Sequence, residues 1–292
     1  MHQYAIVTDS SCDLPQSLAD KYGLEVIPLT FNVGGKTYEN YLDGREYKFE
    51  DFYKEMRDGA IVTTAQVTPQ KFIDNYKKQL DAGKDVLGII FSSGLSGTYN
   101  SACIAAEMLK EEYPDRKIVV LDSRCASLGE GLFLHYASQY REEGKSIDEC
   151  YEALLELRPK VNHWFTISDF VTLLRGGRVS KTAAFLGKNL NIKPVLNTDD
   201  DGKLIPRFKK IGRKSAIKEL VNQMDKLAIR EPQPVFICQG DCMEDAKYAE
   251  KLIRKKFPFV TDVMINWTGP VIGAHSGVGT LSIFFIGTKR QV

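Results

Sequence analysis

Eight consecutive residues, Phe91-Ser92-Ser93-Gly94-Leu95-Ser96-Gly97-Thr98, hold three serines, one threonine and two glycines. Glycines let backbone come close to a ligand, and hydroxyls beside a helix N-terminus offer several donors to an anion. A single helix cap needs only one hydroxyl. The segment therefore points to a carboxylate or phosphate cradle, with Ser93, Ser96 and Gly97 as its candidate contacts. Thr98 stands where the nucleophile-elbow pattern needs its second glycine, which tells against a serine hydrolase.

A second hydroxyl-rich stretch, Val62-Thr63-Thr64-Ala65-Gln66-Val67-Thr68-Pro69, precedes a helical pattern. Thr68 and Pro69 suit the N-cap and first position of that helix. Thr63 and Thr64 have no such duty, and Thr64 is a candidate donor to the same anion. His275 lies among small residues in the segment 269–280, read as a glycine-rich turn before a strand. Its imidazole can donate to a carboxylate or exchange a proton near neutral pH, or be satisfied by backbone carbonyls alone. Arg175 and Arg178 flank Gly176-Gly177, where they can clamp a phosphate or an acidic partner, or lie on a solvated helix junction. Asp9 ends the first strand at the carboxyl edge where open α/β sheets bind ligands, or shares a capping role with Asp13. The chain has no Gly-Lys-Ser/Thr phosphate loop, no GxGxxG and no HExxH. Its six cysteines form no CxxC pair, so no metal site is expected.

These residues must be positioned by a sizeable core, and 292 residues with 43% hydrophobic content suit about two domains. β-Rich runs at 4–8, 25–31, 85–91 and 117–121 alternate with helical patterns at 69–80, 99–113, 128–140 and 147–157, the rhythm of a parallel sheet covered on both faces. Val33-Gly34-Gly35-Lys36 reads as a hairpin turn. Arg158-Pro159 breaks the pattern, which places one α/β domain at 1–160 and a second at 161–292. The second opens on an apolar run at 161–167 and carries strand patterns at 192–196, 203–211, 234–238, 259–265 and 281–286, and helical ones at 182–186, 214–229 and 244–256. The Asp199-Asp200-Asp201-Gly202 turn makes this sheet mixed or partly antiparallel. Net charge is −8 in the first half and +9 in the second. The second half can meet an acidic partner or phosphate, or carry a solvated basic face; its charges are dispersed, so nucleic acid is not expected. No apolar run approaches the ~18 residues of a membrane span, and the N-terminus lacks a signal pattern, which predicts a cytoplasmic protein.

Five blocks together resemble the DegV family, whose better-understood members are the fatty-acid-binding subunits of bacterial fatty acid kinase. They are Thr8-Asp9-Ser10-Ser11-Cys12-Asp13-Leu14-Pro15, Ser92 to Tyr99, Leu174-Arg175-Gly176-Gly177-Arg178-Val179-Ser180, Asn191-Ile192-Lys193-Pro194 and Gly273 to Gly279. The resemblance covers essentially the whole chain and implies a two-domain α/β fold. It implies an acyl chain buried in a tunnel of the second domain, with its carboxylate held by Thr64, Ser96 and His275. Ser93 and Gly97 stand beside them. The family's Thr-Ser-Gln-Pro loop is Thr64-Ala65-Gln66-Val67 here, so the threonine is Thr63 or Thr64. By the same resemblance a separate ATP-dependent kinase makes the acyl phosphate for phospholipid synthesis, and Arg175, Arg178 and Arg207 meet that kinase or the phosphate. Ile211 stands near where a family arginine is common. The ligand is then a long-chain fatty acid, with no cofactor, no catalysis by the chain alone, and transient contact with a membrane surface. The alternative is a stand-alone enzyme, either acyl-transferring or phosphotransferring.

Overall fold

The computed structural model describes residues 3–168, 170–179 and 191–290. In the first half the chain runs β1 (Tyr4–Asp9), α1 (Gln16–Lys21), β2 (Leu24–Ile27), β3 (Thr30–Val33), β4 (Lys36–Glu39), α2 (Phe49–Arg57), β5 (Thr63–Ala65), α3 (Pro69–Asp81), β6 (Asp85–Ile90), α4 (Thr98–Leu109), β7 (Ile118–Asp122), α5 (Leu128–Glu142) and α6 (Ile147–Leu157). Strands β2-β1-β6-β7 form a parallel sheet in that order. Alternate residues of its central strands feed two cores. Ile6, Leu87 and Ile89 pack with Leu132 and Phe133 of α5, whereas Val7, Val86 and Ile90 pack with Phe72 of α3 and Ala102 of α4. Burial on both faces explains why these strands read as unbroken apolar runs.

The run 25–31, expected as one strand, is two. Pro28 has no N–H to continue a ladder, and the Leu29 N–H turns to Ser10 Oγ at 3.0 Å. From there β3 leaves the parallel sheet and forms an antiparallel sheet ordered β4-β3-β5. The Gly34-Gly35 turn joins β3 to β4, both glycines having positive φ. Residues 63–65, expected as loop, are the short strand β5, with Thr64 paired to Phe31.

The second half runs β8 (Val161–Thr166), α7 (Phe170–Arg175), β9 (Ile192–Thr198), β10 (Leu204–Ile211), α8 (Arg213–Leu227), β11 (Gln233–Gln239), α9 (Met243–Lys256), β12 (Val260–Trp267), α10 (Pro270–Ser276) and β13 (Leu281–Ile286). Its six strands form a mixed sheet, β10-β9-β8-β13-β11-β12, in which only β11 and β12 are parallel. One face carries Trp164, Ile283 and Phe285 against α8 and α9. The other carries Val161, Phe236 and Phe284, which share a core with α5. Helix α5 is thus the layer common to both sheets of this two-domain α/β fold. The expected helix at 182–186 lies outside the described residues. The segment 269–280, expected as a turn, contains helix α10: Pro270 starts it and Gly277, at φ 87°, ends it. No helix among the described residues is long and apolar enough to cross a membrane.

Candidate functional site

Between the N-terminus of α4, strand β5, helix α10 and the inner face of the six-stranded sheet lies a cavity of about 370 Å³. This size falls within the roughly 300–1,000 Å³ of ligand pockets. Leu29, Phe91, Leu95, Phe165, Leu173 and Phe284 are among its apolar walls. Polar groups gather where β5, α4 and α10 meet.

Thr64 Oγ1 and His275 Nε2 lie 2.8 Å apart, and both line the cavity. Strand alternation turns Thr64 inward and leaves Thr63 exposed on the opposite face, away from the cavity. His275 occupies the last turn of α10, with Nδ1 buried and without a hydrogen-bond partner. A Cβ on Gly176 would come within 2.8 Å of that Nδ1, so Gly176 is what lets the imidazole sit there. Burial, then the Arg178 charge, push His275 down to about 4, with the Gly176 backbone opposing. The imidazole is therefore neutral near pH 7.

Ser96 and Gly97 line the same cavity. Ser96 Oγ accepts the Thr98 N–H at 3.2 Å and lies 2.9 Å from Thr98 Oγ1, so it also organises the first turn of α4. Ser96 pairs with Thr98 and His275 with Thr64, so the serine–imidazole bond of an activated nucleophile is not what these groups form. Ser93 is drawn elsewhere: its hydroxyl donates to Asp122 Oδ2 at 2.5 Å, and it does not line the cavity.

The three arginines separate. Arg178 lines the cavity and donates to Gly176 O at 2.6 Å and Leu95 O at 3.3 Å. Arg175 is exposed at the end of α7. Arg207 lies on β10, where Nε donates to Asn197 Oδ1 at 2.8 Å. Asp9 is fully buried below the site, accepting from Ser11 N, Ser11 Oγ and Phe91 N. It braces the loop after β6 and stands outside the cavity wall.

Several lining residues carry no motif. Gln66 lies across Gly97, where a Cβ would strike it, and donates to Ser101 Oγ at 3.1 Å. His163, Thr198 and Ser282 project from the sheet. Among the described residues no group of three His, Cys, Asp or Glu side chains is placed to hold a metal ion.

Residues 3–288 match a family model described as an uncharacterised protein, DegV family. A DegV domain-containing protein of Clostridium perfringens is 40% identical over 292 residues, covering 100% of both chains. The solved structure of a DegV family protein from Thermus thermophilus, described for its fatty acid binding, is 31% identical with a TM-score of 0.88, covering 98% of this chain and 100% of that one. Streptococcus pneumoniae fatty acid kinase B3 protein, solved loaded with linoleic acid, is 21% identical with a TM-score of 0.85, over 97% of this chain and 99% of that one. At that identity the likeness is one of fold.

Proposed function

The chain belongs to the DegV family, and from that membership we propose that it binds one long-chain fatty acid and presents the carboxylate to a separate ATP-dependent fatty acid kinase. The observation that carries the reading is that Thr64 and His275, 2.8 Å apart, line the same apolar-walled cavity as Ser96. A relative described for fatty acid binding supports the ligand class. The kinase partnership rests on the sequence resemblance, and the fold is shared with a fatty acid kinase B3 protein.

The division of labour follows from magnitudes. About fifteen methylenes at ~0.8 kcal/mol each give on the order of 12 kcal/mol before the entropy lost on binding. A head-group hydrogen bond adds about 1–3 kcal/mol. The walls hold the tail, and the polar groups decide which end faces out. With Nε2 protonated, the neutral His275 donates to Thr64 Oγ1 and leaves the threonine proton for the carboxylate. Arg178, on the wall, adds positive potential for the carboxylate or the acyl phosphate that replaces it. Arg175, exposed on α7, and Arg207 are the proposed contacts for the kinase.

Mass spectrometry of an organic extract from the natively purified protein tests the first half of this reading: a fatty acid near equimolar with protein is expected. Incubation with ATP, with and without a fatty acid kinase, tests the second. Acyl phosphate should form only with the kinase present, and turnover by the pure chain would sink the division of labour.

A further inference from the structure

Resting on the reading that the cavity holds an acyl chain, we propose that His163 is the stop against which the terminal methyl rests, so that this side chain, wedged under Gly129, sets the longest acyl chain the protein accepts. Residues on one strand alternate between the two faces of the six-stranded sheet. Trp164 of β8 packs on the α8 and α9 side, so its neighbours His163 and Phe165 line the cavity on the other.

Strand pairing orders the lining side chains into rows. Strand β13 begins with Leu281 beside Thr166, just after the turn from α10, and the first row facing the cavity is Ser282 beside Phe165. Two residues on, Phe284 stands beside His163, about 7 Å deeper at ~3.3–3.4 Å per residue. Thr198, one residue past the pairing of Trp164 with Asn197, lies level with them on β9. His275 belongs to α10, so these rows lead away from the proposed carboxylate end. The next row is closed. Val161 and Ile286, paired with each other and facing the same side, are buried in the core packed on α5, and neither lines the cavity. The cavity therefore ends at the row of His163.

What ends it is the imidazole. A Cβ on Gly129 would lie 1.9 Å from His163 Nε2 and 2.2 Å from its Cδ2, so the ring fills space beneath the first turn of α5 that any other residue at 129 would claim. The ring of Phe284 meets it edge-on, with centroids 5.3 Å apart. Both ring nitrogens are buried and without a hydrogen-bond partner. Burial, then Arg290, keep the imidazole neutral, and turned against the helix it acts as an uncharged block. Arg290, itself buried, donates to Val161 O, Arg124 O and Asp199 O at 2.9, 2.8 and 2.9 Å. It ties the start of β8 to the end of β9 and to the loop before α5, which braces the wall behind the stop.

Each methylene that enters such a cavity raises affinity up to about fourfold, the equivalent of ~0.8 kcal/mol. Once the terminal methyl meets a braced wall, a further methylene overpacks it and the gain reverses. The chain-length profile therefore reports the position of the stop.

The test measures binding of myristic, palmitic, stearic, arachidic and behenic acids to delipidated full-length protein. Wild-type affinity should rise to one length and fall at the next. His163→Ala should move the maximum to a longer acid and bind the first acid that the wild type rejects about tenfold more tightly. His163→Leu, which keeps a block of similar bulk, should keep the wild-type maximum. Gly129→Ala should press the ring into the cavity and move the maximum to a shorter acid, and adding His163→Ala should reverse that shift. A wild type without a maximum, or a His163→Ala that weakens all lengths equally, overturns this proposal alone. One readout needs no variant: with the best-binding acid isotope-labelled at its terminal methyl, a nuclear Overhauser contact from that methyl to the His163 ring is expected, and its absence overturns the stop even where a variant fails to fold. If none of these acids binds, the fatty-acid reading falls and this proposal falls with it.

Discussion

Thr64 Oγ1 and His275 Nε2, 211 positions apart in sequence, meet at 2.8 Å on the wall of the cavity. The threonine comes from the antiparallel sheet of the first half and the histidine from α10 of the second. The pair joins the two halves of the chain at the point where the head group is proposed to lie. Its register gives the first prediction. Thr64→Val should weaken retention of the carboxylate by about 1–3 kcal/mol, and Thr63→Val, on the exposed face, should leave it unchanged. Isothermal titration with a fatty acid decides it, and equal losses in both variants would remove Thr64 from the site.

Ser96→Ala should separate holding from presenting. The hydroxyl supports the first turn of α4 and faces the cavity, whereas most binding energy lies in the tail. Lipid recovered per protein should fall little, while acyl phosphate made with a kinase should fall severalfold or more. Loss of both to the same degree would show that Ser96 shapes the cavity and leaves presentation to other groups.

Acid should destabilise the delipidated protein through His275. Its folded value of about 4 lies below the ordinary 6.5, so between these two values the unfolded chain binds more protons. The stability contributed by the neutral imidazole is present above about 6.5 and is lost as pH falls through about 4. Urea unfolding near both ends of that window should show the wild type losing on the order of 2 kcal/mol more than His275→Gln. Parallel losses in the two proteins would mean that the imidazole is not buried neutral.

Filling the cavity tests its use directly. Ala126 lines it, and Ala126→Phe would place a ring where the tail is proposed to run. The variant should fold, as judged by its circular dichroism and melting curve, yet emerge from purification without lipid. A full complement of bound fatty acid would place the tail elsewhere.

The sequence made the strand and helix rhythm legible because β1 and β6 are buried on both faces and α3 announces itself with the Thr68 cap and Pro69. Other features depend on partners distant in sequence. Whether Thr63 or Thr64 points inward is a matter of one residue of register, set by the pairing of Thr64 with Phe31. The hydroxyl-rich segment could not show that Asp122, 29 residues on, takes Ser93. Gly269, Gly273, Gly277 and Gly279 hid the short helix carrying His275. The break between β2 and β3 was marked by Pro28, and α2 by apolar Phe49, Phe52, Tyr53 and Met56 at helical spacing. Those two signals are present in the sequence itself.

Asp13 should govern how α10 is held. Its Oδ1 accepts the Gly269 N–H at 3.0 Å, where α10 begins, and its Oδ2 accepts from Ser127 Oγ at 2.6 Å, where α5 begins. Asn266 Nδ2 donates to its backbone carbonyl at 2.7 Å. One carboxyl therefore ties the helix bearing His275 to the helix shared by both sheets. Burial pushes that carboxyl up to about 7, against the lowering effect of its hydrogen bonds. A raised folded value means that the stability it contributes is full below the ordinary 3.8 and is lost as pH rises through about 7. Asp13→Ala leaves the buried Gly269 N–H unpaired and leaves Ser127 Oγ only Cys238 Sγ at 3.1 Å, and should lower stability by about 2–4 kcal/mol, with weaker lipid retention because α10 loses its anchor. Asp13→Asn keeps an acceptor for Gly269 and replaces the acceptor facing Ser127 Oγ by an N–H that the hydroxyl can accept, so it should retain most of the stability and flatten its pH dependence between about 4 and 7. Melting temperatures of the three proteins across that range check both. If Asp13→Asn is as damaging as Asp13→Ala at every pH, the negative charge itself is required, and burial does not hold this carboxyl protonated.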